Sequence, residues 1–182
     1  MAVTNRKVVI GIGNLLNRDE GLGVHAVKSL AAYLSSSECL AAGRHRLELL
    51  DGGTLGLNLL PIVEESSHLL ILDAVNANQP DGTIIELPRD QISLSTGIKL
   101  SEHQVSFQEV LGLASFRGRL PGHLHLIGAQ PADVSIGLDL SPTMLDVLPI
   151  LVRRALRVLR AWGLLDDALM VDSGPMRVTG DD

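Results

Sequence analysis

The sequence predicts an α/β fold: a single-domain three-layer sandwich, with a mostly parallel twisted five-stranded sheet and helices on both faces. Two observations carry this. Short apolar segments alternate along the chain with longer segments whose apolar residues recur at steps of three and four. One apolar segment, "HLLILDAV" at 68–75, has no polar face, which suits a central strand covered on both sides. The length of 182 residues fits one domain, burying roughly 70% of the surface its unfolded chain exposes.

The elements follow in order. "RKVVIGI" (6–12) reads as a buried strand, and residues 20–35 as a helix with Val24, Val27, Ala31 and Leu34 on one face. "HRLELL" (45–50) is a second strand, and "LNLLPIVEES" (57–66) a short helix near Pro61. The third strand is 68–75; "GTIIEL" (82–87) is a fourth, whose neighbouring prolines suggest an edge. "SEHQVSFQEVLGLASF" (101–116) reads as a helix, with Ser101 and Gln104 at capping-box spacing. "HLHLIGA" (123–129) is a fifth strand. Pro142 opens a last helix to about Trp162, with Leu145, Leu148, Val152, Leu156 and Leu159 as its apolar stripe. The domain is expected over 1–165, with 166–182 a mobile polar tail.

Composition excludes several classes of function. The net charge of −6 argues against a nucleic-acid partner. Four aromatics, Tyr33, Phe107, Phe116 and Trp162, are too few for base-stacking platforms and leave the core to Leu, Val, Ile and Ala. Cys39 is the single cysteine, so there is no disulfide framework and no Cys-rich metal motif. No long apolar run suggests a membrane span, and a cytoplasmic location is expected.

Ligands of open α/β sheets bind at the carboxyl ends of the strands. Here the strand ends carry Gly11, Gly13 and Asn14, then Asp51-Gly52-Gly53-Thr54, then Asp73-Ala74. The stretch "IGIGNLLNRDEGLG" (10–23) resembles a dinucleotide loop, but the third glycine position is Leu16, and Asp19 and Glu20 would repel a pyrophosphate. A metal site is the alternative. Glu20, Asp73 and a neutral His103 near a helix start would suit a divalent ion. The residues alone also admit plainer roles, which are the simpler choice: Glu20 as a first-turn carboxylate answering the helix dipole, His103 as a surface histidine. His123 and His125 share one strand face and are expected to be solvated. His25 is placed to flank the Glu20 pocket, while His45 and His68 begin strands and are expected to be exposed.

The segments "VVIGIGNLLNRDEGLGVHAV", "LLDGGTLGLNLLP", "LLILDAV" and "SEHQVSFQEVL", in this order, resemble the hydrogenase maturation endopeptidases over about residues 6–162. The resemblance implies an aspartic-type endopeptidase. It would remove the C-terminal extension of a nickel–iron hydrogenase large-subunit precursor after nickel insertion. The implied metal contacts are Glu20, Asp73 and His103, with Asp73 first and Glu20 second as the group that activates water. Nickel would be carried by the substrate, and cadmium or zinc would also fit. A non-cleaving nickel-binding metallochaperone or scaffold would need the same three ligands.

Overall fold

A nine-residue strand, β3 (Ser66–Ala74), runs through the middle of the sheet in this computed structural model, which describes residues 5–36, 47–92 and 107–165. Its neighbours are β1 (Arg6–Ile12) and β5 (His123–Ala129), both parallel to it. Beyond β1 lies β2 (Leu47–Gly53), also parallel; beyond β5 lies β4 (Ile84–Pro88), antiparallel. The order is therefore β2-β1-β3-β5-β4.

The apolar character of β3 has a direct cause. Leu70 and Leu72 face a core shared with α1 (Leu22–Ser36) and α4 (Pro142–Ala161). Leu69 and Ile71 face a second core, shared with α2 (Leu60–Glu65) and α3 (Phe107–Phe116). Successive strand residues point to opposite faces, so the doubly covered run Leu69–Leu72 has no position that faces water, which makes the buried Asp73 just after it an exception. Each fully buried leucine in these cores contributes about 1.5–3 kcal/mol. The expected sandwich, central third strand and edge fourth strand are all present.

The differences are local. The segment expected to open the first helix is a 3-10 turn (Arg18–Gly21), and the α-helix starts only at Leu22. The second strand extends past Leu50 because Asp51 and Gly53 still pair with Gly11 and Ile12, across a register shift. In α4, Leu145 is exposed; the buried stripe runs through Met144, Leu148, Leu151, Val152, Ala155 and Leu159. Ser141 caps this helix, its hydroxyl accepting from the Met144 amide at 3.3 Å. Cys39, His45, Ser101, His103, Gln104 and residues 166–182 lie outside the described residues.

Candidate active site at the carboxyl ends of β1 and β3

The chain leaves β1 toward β2 on one side, while β3 leads to β5 on the other. The crevice between the ends of β1 and β3 is thus the place where connections diverge. Glycines let the backbone close in there. A side chain on Gly11 would run into the Gly23 carbonyl, and one on Gly23 into the carbonyls of Leu72 and Ile12. Gly13 holds φ +134°, and a side chain there would strike the Glu20 carbonyl. The start of α1 is therefore laid directly on the ends of the two strands, bringing the 3-10 turn with Glu20 to Asp73.

The adjacent carboxylates Asp19 and Glu20 have different surroundings. Asp19 is fully buried at 0% exposure. Its Oδ2 accepts the amides of Ala132 (3.0 Å) and Asp133 (2.8 Å) and the Ser141 hydroxyl (2.8 Å). Its Oδ1 accepts the Ser141 amide at 2.7 Å. This carboxylate ties the loop after β5 to the turn before α1. The sequence offered no sign of it, because all its partners are more than a hundred residues away. Glu20 is half-buried.

Asp73 ends β3 at 2% exposure, and its Oδ2 has no hydrogen-bond partner among the described residues. Burial pushes its carboxyl well above the ordinary range. A hydrogen bond with the Ala74 backbone works against the rise, and the charge of Glu20 adds to it. A buried, unpartnered carboxylate oxygen beside a second carboxylate calls for a proton or a cation. The donor set fits a divalent ion: hard oxygen ligands with one lone-pair site left open.

The other candidates are placed elsewhere. No group of three or more metal-ligating side chains converges among the described residues, of which His103 is not one. Asp51 is exposed, its Oδ2 3.6 Å from Lys28 Nζ. His25 is half-buried, and its buried Nε2 lacks a hydrogen-bond partner among the described residues. Its pKa is lowered by burial and by Lys28, against a raising effect of Asp139.

Two histidine expectations need correction. His125 is not solvated: its Nε2 lies 3.1 Å from Glu86 Oε1, because antiparallel β4 brings Glu86 alongside. His68 is half-buried, its ring stacked on exposed His123 at 4.1 Å, with Trp162 at their edge. These groups lie toward the amino ends of β3 and β5, away from Glu20 and Asp73.

The profile described as hydrogenase maturation protease matches residues 24–158. The chain belongs to this family. Hydrogenase maturation proteases and formation proteins are also what its sequence relatives are called. The hydrogenase expression/formation protein HupD of Rhizobium leguminosarum bv. viciae is 40% identical over 87% of this chain and 76% of its own length. The hydrogenase 2 maturation protease of Escherichia coli strain K12 is 31% identical, over 87% of this chain and 93% of its own. Among solved structures, the hydrogenase maturating endopeptidase HybD from Escherichia coli superposes with a TM-score of 0.72. It is 29% identical and covers 87% of this chain and 94% of its own.

Proposed function

We propose that this hydrogenase maturation protease removes the C-terminal extension of a nickel–iron hydrogenase large-subunit precursor. It acts in the cytoplasm, after nickel insertion, with Glu20 and Asp73 as the catalytic carboxylates. The single observation that carries the site assignment is the unpartnered, buried Oδ2 of Asp73 beside the charge of Glu20. Membership of a protease family favours cutting over the scaffold reading.

Nickel belongs to the substrate in this scheme, with Glu20, Asp73 and His103 as its protein contacts. Its positive charge offsets the repulsion between the two carboxylates and polarises groups near the cut. Without the cation, burial, with Glu20 adding to it, shifts Asp73 toward its protonated form. Beside a cation the same carboxyl ionises and becomes a base. It takes a proton from the attacking water, the water oxygen adds to the scissile carbonyl, and the proton passes to the leaving amine as the C–N bond breaks. In an aspartic-type reading Asp73 is the base that activates water, and Glu20 is the neighbouring carboxylate that helps to hold the cation. Among the described residues no helix is long and apolar enough to cross a membrane.

The test is the appearance of a shortened large subunit on a gel. The purified protein should cut the nickel-loaded precursor and leave the nickel-free precursor whole. Asp73→Asn should abolish cutting, since the amide keeps the shape and loses the basic oxygen. Full activity of Asp73→Asn would remove Asp73 from the chemistry; efficient cutting of nickel-free precursor would end the role of nickel.

A further inference from the structure

The loop after β5 carries an apolar ridge next to the turn that holds Glu20. Val134, Ile136 and Leu138 occupy alternate positions and all are exposed, Ile136 at 89%. Leu16, also exposed, is held against the same loop. The Gly137 amide donates to the Leu16 carbonyl at 2.9 Å, and the Arg18 amide donates to the Gly137 carbonyl at 2.9 Å. The Arg18 side chain lies over Gly137 so closely that a Cβ there would meet it at 2.8 Å. From within, Asp19 binds the amides of Ala132, Asp133 and Ser141.

Surface loops are ordinarily polar and mobile. This one is apolar at its tip and tied down at both ends and in the middle. Fixing the backbone in advance lowers the entropy lost when something binds, so exposed aliphatics on a held loop favour association. Val134, Ile136 and Leu138 thus present three exposed aliphatic side chains from one short, held segment.

We propose that Leu16, Val134, Ile136 and Leu138 form a docking ridge for an apolar segment of the protein substrate beside the bond that is cut. The inference rests on the endopeptidase reading. Continuity with the cleavage site selects this occupant: Leu16, the Asp19 clamp and Glu20 belong to one short stretch, so a polypeptide presented to Glu20 lies against the ridge. A second copy seated there would instead obstruct the approach to Glu20.

Ile136→Asp and Leu138→Asp place a charge on the ridge without entering either core. Phe116→Asp does the same at the far end of α3, where Phe116 is 90% exposed. The readouts are kcat and KM for cutting the nickel-loaded precursor, and precursor affinity by biolayer interferometry. Each ridge variant should raise KM and Kd about tenfold with kcat nearly unchanged. Phe116→Asp and Ile136→Met should behave as wild type, and all should keep the wild-type melting temperature. Unchanged KM and Kd in both ridge variants, with a wild type that cuts, would overturn the ridge and leave the protease reading intact. Weakened binding by the ridge variants to a precursor that the wild type binds but never cuts would support the ridge and defeat the protease reading. A changed oligomeric state in the ridge variants with unchanged KM would assign the ridge to self-association and overturn the proposal.

Discussion

Asp19 and Ser141 meet through two hydrogen bonds: the Ser141 amide donates to Asp19 Oδ1 at 2.7 Å, and its hydroxyl donates to Oδ2 at 2.8 Å. Ser141 also caps α4, so one buried carboxylate joins the turn before α1, the loop after β5 and the start of the last helix. Asp19→Ala would strand the amides of Ala132, Asp133 and Ser141 without an acceptor. The expected loss is on the order of 2–5 kcal/mol, since several buried donors each lose a bond to a charged acceptor. Urea unfolding with a fixed m-value measures it. A loss below about 1 kcal/mol would show that water satisfies these donors.

The metal-free protein should carry the mark of Asp73 in its pH dependence. Its folded pKa is raised, chiefly by burial. Stability from such a group is fully present below the unfolded value, near pH 4. It is lost as pH rises through the folded value. Asp73→Asn mimics the protonated form and lacks this loss. With a chelator present, the variant should be more stable than wild type at pH 7, and the gap should close below about pH 4. Urea midpoints over a pH series give the comparison. A wild type that gains on the variant with rising pH would contradict the burial argument.

The first and fifth strands were legible because each is a short run rich in buried aliphatics with breaks on either side, and both match at 6–12 and 123–129. The antiparallel direction of β4 follows from the short link between Ala74 and Ile84, too short for the crossover a parallel strand needs, a signal the strand's own sequence does not carry. That direction also puts Glu86 beside His125, so the histidine was misread as solvated. In α4 the pattern located the helix but misassigned Leu145, since Met144 and Val147 also satisfy a three-to-four spacing. At the candidate site, Asp73 stood out as a carboxylate ending an apolar strand, and Glu20 as one at the start of the first helix. Asp19 was legible only as a neighbour of Glu20, its partners being distant in sequence.

Two glycines should respond in opposite directions to the same methyl group. On Gly23 it would run into the carbonyls of Leu72 and Ile12, which are sheet backbone and cannot turn away. Gly23→Ala should cost about 1–3 kcal/mol and lower cleavage, because it lifts the turn that carries Glu20. Gly112 lies inside α3 with nothing within 4 Å of an added Cβ. Gly112→Ala should stabilise by about 0.5–1 kcal/mol. Thermal melts and precursor cleavage of both variants decide it; a neutral Gly23→Ala would mean that α1 can slide without harm.

The histidines can be ranked by calorimetry with nickel. His125 is engaged by Glu86, which is also held by Arg154 at 2.8 Å, and His123 is stacked on His68. Both stand toward the amino ends of the strands, whereas Glu20 and Asp73 stand at the carboxyl ends. An ion cannot use ligands from both ends of a sheet several residues tall at ~3.3 Å per residue. If His103 is the third ligand, His103→Ala should weaken nickel binding at least about tenfold, no less than the loss of an outer-shell partner costs. His123→Ala and His125→Ala should leave it unchanged, and Glu20→Gln should fall with His103→Ala. Equal losses in the three histidine variants would refute the placement of the site. A loss confined to His125→Ala would move the ion to the Glu86 end of the sheet.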